Sequence, residues 1–407
     1  MRTSLQAPAS TLLLSALAAL PSFGIDMNLS ALDATARSMG VGADRAGLTI
    51  SLFMLGYAVS PPVCGPISDQ VGRKPVALGA LSVFTAASLG CATAQSLPGL
   101  LAWRLVEGMG AGVTTTLAMA INNDLCEGPA ADLRLARLAS TMLLVPMLAP
   151  AVGSAILLFA GWRGIFVLLT GLGLLLAWVV WCGFAESLRA GRRSASLTAP
   201  LSGYSCAIRH PGCLGHSLVN AAAFGMMFAW LSGSPLLLID RLGLSHAQFS
   251  LAYAASFAGV IAGVQLNLRL GTRGVAFDAR LRAGIALGIA AAAAFLVAIL
   301  AGWRWAPGLI ALLMLDMAGF GLVAPNAIAA AIQPLPDHAG AVSAMCGFIQ
   351  VLAQSVVSAI VPALSAWGPG KAIGLVMTVC AVLALAACRG LIRARPIVPA
   401  GLPTNPQ

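Results

Sequence analysis

The sequence predicts an all-α membrane protein of twelve transmembrane helices in two six-helix halves, and three observations carry that expectation. The 407 residues are 59% hydrophobic and 9% charged, with a mean hydropathy of +0.91. Twelve stretches are each long and apolar enough to cross a bilayer, which takes about 20 residues in a helix. The longest polar stretch, Glu186–Pro211, falls between the sixth and the seventh. A soluble domain carries about 25% charged residues. With 23 Lys and Arg and 13 Asp and Glu, this chain cannot cover a water-facing surface. Composition therefore argues against a soluble enzyme, a disordered chain and a nucleic-acid-binding domain, and makes lipid the expected solvent.

Span 1, Thr11–Leu32, follows Arg2 and holds Pro21 and Asp26. Its first half has the look of a signal peptide, but eleven further spans follow and it is read as the first of them. Span 2 is Ala46–Ile67, and span 3, Pro75–Gln95, opens behind Arg73-Lys74. Span 4, Leu97–Ile121, holds Arg104 and Glu107, and span 5, Ala136–Ala160, holds Pro146, Pro150 and Gly153. Span 6, Gly164–Phe184, closes the first half. The second half comprises Gly212–Ile239, Ala247–Leu268, Ala283–Gly302, Pro307–Ile332, Gly340–Ala366 and Ala372–Cys388. The expected division is residues 1–185, a linker 186–211, and residues 212–407 ending in a short cytoplasmic tail. The linker contains Arg189, Arg192 and Arg193 and reads as a solvated loop. Gly161-Trp162-Arg163 and Gly302-Trp303-Arg304 look alike but follow spans 5 and 9, which are not equivalent, so the two halves rest on the span count alone.

Orientation follows from the basic residues, which accumulate in cytoplasmic segments. With both termini inside, the outer segments hold only Arg37, Arg45, Arg163, Arg241, Arg304 and Lys371, and Arg104 lies within a span. The other basic residues all fall inside. The net charge of +10 is thus a topology signal rather than a nucleic-acid footprint. The cysteines show no paired spacing and read as small hydrophobes, and the four histidines show no metal-ligand spacing. No metal is expected.

Asp26, Arg104, Glu107 and Asp316 lie within spans, where each charge costs about 2.5–3.5 kcal/mol at a helix centre and needs a reason. At ~1.5 Å per residue, Asp26 and Arg104 fall ~9–10 Å from the outer ends of their spans, and Glu107 and Asp316 ~13–15 Å. A carboxyl buried in a bundle favours its neutral form, so Asp26 is a candidate proton carrier; the plainer reading is a fixed, paired aspartate. Arg104 stays charged and needs an anion. Glu107 at i+3 offers a local pair, and the sharper alternative has Arg104 facing Asp26 and biasing its proton. Asp316 has no cation in its own span, and substrate contact is one use for it.

Between spans 2 and 3 the chain reads Gly65-Pro66-Ile67-Ser68-Asp69-Gln70-Val71-Gly72-Arg73-Lys74. Gly65 allows close backbone approach, Gly72 permits positive φ, and Asp69 and Arg73 are spaced to pair across a helical turn. A turn carrying an ordinary topology signal is the plain alternative. Pro146, Pro150 and Gly153 predict a bend in span 5. The chain contains no G-x-x-x-x-G-K-[ST] loop, no H-E-x-x-H and no credible catalytic serine motif, which disfavours ATP-driven transport and enzymatic chemistry.

These stretches resemble the major facilitator superfamily. Gly65 to Lys74 is similar to its G-x-x-x-D-x-x-G-R-[RK] signature, Arg104 to Gly108 to its R-x-x-Q-G signature, and Pro146 to Gly153 to the antiporter stretch of its drug exporters. Ile25-Asp26-Met27-Asn28-Leu29-Ser30-Ala31-Leu32 and Ala324-Pro325-Asn326-Ala327 resemble Bcr/CflA-type drug–proton antiporters. Asn28, Ser30, Glu107, Ala149 and Ser154 depart from the usual residues, and the second-half copy of the loop signature is degenerate at Gly271-Thr272-Arg273-Gly274.

The resemblance implies the major facilitator fold and proton-coupled efflux of small amphipathic compounds, with no cofactor beyond the proton gradient. Asp26, Arg104 and Glu107 would couple protons. Gly65, Asp69, Gly72, Arg73 and Lys74 would form a cytoplasmic gate, and Pro146, Pro150 and Gly153 a helix bend. Phe23, Met27, Tyr57, Trp230 and Asp316 are candidate substrate contacts; core or lipid packing is the plainer reading of the aromatics. The expected partners are a small-molecule substrate, protons and lipid, with no nucleic acid, and the chain is expected to be a monomer in a bacterial inner membrane with both termini cytoplasmic. Proton-coupled uptake or facilitated diffusion of a metabolite is the alternative, and a non-transporting sensor or scaffold a third.

Overall fold

Apolar runs of this length must satisfy their backbone internally, and helices do so within one segment. The computed structural model describes residues 8–125, 129–188 and 199–392, and no strand occurs among them. The first half comprises α1 (Pro8–Leu29), α2 (Leu32–Met39), α3 (Ala43–Val71), α4 (Arg73–Thr93), α5 (Leu97–Leu125) and α6 (Pro129–Gly183). A short helix α7 (Ala199–Arg209) leads to α8 (Pro211–Pro235), α9 (His246–Thr272), α10 (Phe277–Leu300), α11 (Ala306–Ile332), α12 (Ala339–Leu364) and α13 (Pro369–Ala387).

Ten of the described helices are long and apolar enough to cross a membrane. One of them, Leu144–Gly183, runs for 40 residues, or ~60 Å at 1.5 Å per residue, twice the hydrocarbon thickness. It holds spans 5 and 6. The backbone breaks at Gly161, whose φ of 65° and ψ of −174° no helix contains. That left-handed φ suits glycine. Helix α5 falls outside the ten because Arg104, Glu107, Asp124 and its run of threonines lower its hydropathy, yet its 29 residues span the same depth. The twelve expected spans are therefore all present.

Two expectations need correction. Span 1 does not run to Leu32: α1 ends at Leu29, and α2 follows as a separate helix that closes on Gly40, at φ 65°. The linker is not all loop. Residues 189–198, with Arg189, Arg192 and Arg193, lie outside the described residues, but α7 follows them and buries Ala207 among Cys213, Val342 and Met345. In span 5, helical φ and ψ continue through Pro146 and Pro150, and the non-helical residue of α6 is Gly161, where spans 5 and 6 meet. The far ends of the chain, with Arg2, Arg393, Arg395 and Gln407, also lie outside the described residues.

One continuous apolar core runs through both halves, from Leu14 and Phe53 to Trp230, Tyr253 and Met377. Leu158, Phe159, Trp178, Trp181 and Leu251 are exposed around the perimeter, where lipid is the expected neighbour.

Candidate functional site between the two halves

Helix α1 places its backbone and side chains at the centre of the buried polar contacts. Asp26, three residues before the end of α1, is 3% exposed. The hydroxyl of Tyr253, on α9, donates to Asp26 Oδ1 at 2.6 Å. This bond joins the first half to the second. Further contacts between the halves lie toward the same end of the bundle. The hydroxyls of Ser154 on α6 and Ser250 on α9 are 3.1 Å apart, and Ser154 also donates to the His246 carbonyl at 3.4 Å. Ser355 on α12 donates to the Ser51 carbonyl on α3 at 3.0 Å. All of these lie near the end of the bundle opposite Arg73, Arg209 and Arg269.

Arg104 does not face Asp26 in an ion pair. Its guanidinium is wholly buried and pairs with Glu107 Oε2 at 2.7 Å. It also donates to the Thr49 carbonyl at 3.2 Å and the Gly24 carbonyl at 3.1 Å. The Phe53 ring lies 4.4 Å from the guanidinium carbon, and Phe166 5.6 Å. Glu107 also accepts from Ser88 at 2.7 Å and from the Cys91 thiol at 3.7 Å. Charge and hydrogen-bonding capacity are thus balanced within the first half, as a buried pair requires. Asn28 joins the same network by donating to Thr49 Oγ1 at 3.2 Å.

The loop residues assemble at the end of the bundle where α3 and α4 meet. Arg73 Nη1 pairs with Asp69 at 2.6 Å, and its Nε pairs with Asp124 at 2.9 Å. Ser68 accepts from Arg73 at 2.5 Å. Gly72 turns the chain at φ 115°, and an added Cβ would run into the Glu186 carboxylate. Glu186 accepts from the Arg73 and Lys74 backbone N–H groups at 2.9 and 3.1 Å. A carboxylate thereby caps the start of α4, where the helix dipole favours negative charge. Lys74 Nζ donates to the Trp181 carbonyl at 2.8 Å. Gly65 is open, with nothing near the position of a Cβ.

The remaining candidates are scattered. Gly153 packs against the Met27 backbone. Met27 and Trp230 are buried in the core, and Trp230 Nε1 has no hydrogen-bond partner. Phe23 and Tyr57 are half-buried against it. Asp316 lies in the second half, 2% exposed, with no partner at Oδ2. Among the described residues no His, Cys, Asp and Glu cluster suits a metal ion. Tyr253, Thr49, Ser88, Asp124 and Glu186 are contributors that sequence reasoning missed. Tyr253 is one of only three tyrosines, but nothing local ties it to a residue 227 positions away.

The sequence profile of the major facilitator superfamily matches residues 12–362. An uncharacterized MFS-type transporter, YdgK, of Bacillus subtilis is 27% identical over 94% of this chain and 95% of its own length. The multidrug resistance protein MdtL of Klebsiella pneumoniae is 28% identical over 82% of this chain and 83% of its own. Multidrug resistance protein D of Escherichia coli is 27% identical over 86% of each. Among solved structures, a bacterial homologue of the human lysosomal transporter Spinster has a TM-score of 0.74 at 15% identity, covering 96% of this chain and 99% of its own. The xylose transporter XylE of E. coli has a TM-score of 0.70 at 15% identity, covering 94% and 97%.

Proposed function

The chain belongs to the major facilitator superfamily, and from that premise we propose that it exports small amphipathic compounds, drugs among them, across a bacterial inner membrane in exchange for protons. The observation that carries this reading is the buried hydrogen bond from Tyr253 to Asp26. It puts a protonatable group of one half in direct contact with the other half. Gain or loss of a proton at Asp26 then changes the strength of a contact that must break for the bundle to open at that end. Export is the direction favoured by the names of the multidrug resistance relatives and by the stretch from Pro146 to Gly153.

In this reading both termini and the Arg73 cluster are cytoplasmic, and the contacts between the halves close the outer side. Asp69, Gly72, Arg73 and Lys74, capped by Glu186, form the cytoplasmic gate. Arg104 acts through position rather than through direct contact. By holding the Gly24 carbonyl and Glu107 it fixes the α1 backbone two residues before Asp26. The proton gradient supplies the driving force, a monomer is the working unit, and no cofactor takes part.

The test begins with growth inhibition by a panel of amphipathic antimicrobials, in cells expressing the chain with and without a protonophore. A compound that is exported is then used in proteoliposomes. Wild type should move protons when that compound is added. Asp26→Asn should abolish uphill export and still bind a neutral compound, because the amide mimics the protonated acid. Normal proton exchange by Asp26→Asn would remove Asp26 as the carrier.

A further inference from the structure

Asp316 occupies in the second half the place that Glu107 occupies in the first, and none of the groups that hold Glu107 is there. Helices α5 and α11 align without a gap: Pro98 with Pro307, Gly99 with Gly308, Glu107 with Asp316, Gly110 with Gly319 and Gly112 with Gly321. Packing follows the same register. A Cβ at Gly110 would meet the backbone of Ala80 and Phe84 on α4, and one at Gly319 would meet that of Gly284 and Gly288 on α10. Carried along those two helices, the register matches Ser88 with Ala292 and Cys91 with Phe295. Arg104 itself matches Leu313. The guanidinium, the hydroxyl and the thiol around Glu107 are therefore replaced by three hydrocarbon side chains.

What surrounds Asp316 is consistent with that loss. It borders a cavity of about 20 Å³ between α8, α10, α11 and α13, lined by Met226, Gly288, Phe320 and Ala381. Oδ2 has no hydrogen-bond partner and almost no exposed surface. None of the cavity-lining residues of α8, α10, α11 and α13 other than Asp316 is an Asp, Glu, Lys, Arg or His. The titratable neighbour is the Cys380 thiol on α13. A hard metal cation takes about six or more oxygen ligands, and this lining offers one carboxyl. An organic substrate does not fit a space that admits about one water. An ionised carboxylate without donor or cation is strongly disfavoured in such a site, whereas a protonated one is tolerated.

We propose that Asp316 is a second proton site, housed in the C-terminal half, loaded in the conformation described and discharged when the helices around it part. Its counterpart Glu107 is a fixed anion. The bundle thus keeps one acid of the pair permanently neutralised by arginine and leaves the other to a proton. Asp316 is accordingly a proton ligand and not a substrate contact. The inference rests on the transport reading only for the part this proton plays in the cycle; the proton itself is detectable without substrate.

Infrared difference spectroscopy of the full chain in lipid, stepped between acid and alkaline pH, tests it. A protonated carboxyl gives a carbonyl-stretch band that shifts in heavy water. In the Asp26→Asn protein the further Asp316→Asn replacement should remove one carboxyl's share of that band, and Glu107→Gln should remove none. A spectrum unchanged by Asp316→Asn overturns the proposal. Asp316→Leu supplies a second reading. A neutral acid in an apolar pocket should be replaced without loss of thermal stability, whereas a marked drop would mean that Asp316 is charged and paired, against the proposal. In proteoliposomes, Asp316→Asn should lower the number of protons moved per exported molecule. An unchanged number alongside a reduced band would overturn the role in the cycle. Absence of export by wild type would instead fail the transport reading, with the band still deciding the proton.

Discussion

Arg104 and Glu107 are wholly buried, and their value lies in what happens when one is taken away. Removing one partner of a buried pair typically costs about 3–5 kcal/mol, because the other charge is left without compensation. Arg104→Ala and Glu107→Ala should each lower the melting temperature of the detergent-purified protein markedly. The double replacement Arg104→Leu with Glu107→Leu should recover much of that stability, since matched hydrocarbons avoid the desolvation cost. Transport should stay low in the double variant, because Gly24 and Thr49 lose the donors that fix α1 against α3. Equal stability of all three variants would show that the pair is not balanced as described. Tyr253→Phe is the complementary change. It removes one hydrogen bond, worth about 1 kcal/mol, and should shift the pH at which transport is half-maximal while leaving expression unchanged.

The junction of α3 and α4 is where a single element depends on a distant residue. Gly72 cannot carry a side chain without strain in its left-handed φ and collision with Glu186. Gly72→Ala should therefore slow transport while the protein still reaches the membrane. Glu186→Ala strips the cap from α4, a loss of about 0.5–2 kcal/mol for a good N-terminal cap, and should impair transport further by freeing Lys74 and Arg73. Asp69→Asn should act in the same direction. Transport rates unchanged in all three would reduce the loop to a topology signal. These elements also show what was legible beforehand. The spans could be read because apolar runs, prolines and basic turns punctuate them, and Gly72 could be read because its neighbours Asp69 and Arg73 keep helical spacing across it. The end of α1 at Leu29 could not, because Ser30 and Ala31 carry no breaker. Glu186 and Tyr253 could not either, because each meets its partner across more than a hundred residues. The match of α5 to α11 was present in the sequence throughout, hidden because Arg104 and Leu313 share no chemistry.

At the scale of the molecule, the distribution of Lys and Arg makes topology the first thing to measure. Reporters fused after Arg193 and at Gln407 should both lie in the cytoplasm; a periplasmic signal at either position overturns the orientation. The closure between the halves can be tested with cysteines at Ser154 and Ser250, whose hydroxyls are 3.1 Å apart. In a background lacking the exposed Cys182 and Cys206, cross-linking should arrest transport, and a reductant should restore it. Persistent transport in the cross-linked protein would mean that this end of the bundle need not open.

The polar contacts just described join hydroxyl groups to one carboxyl, to backbone carbonyls and to each other, with no ion pair between the halves among the described residues. Net, each such bond is worth about 1 kcal/mol, so the polar contacts of the seam add only a few kcal/mol to the apolar packing that also joins the halves. A ratio of two states changes tenfold for every ~1.4 kcal/mol. One bond won or lost at Asp26 is therefore enough to move the ratio of shut to open molecules about fivefold. A salt bridge on that seam would have made it sensitive to the ionic strength of the medium it faces. Serine and tyrosine hydroxyls leave its polar contacts nearly indifferent to salt.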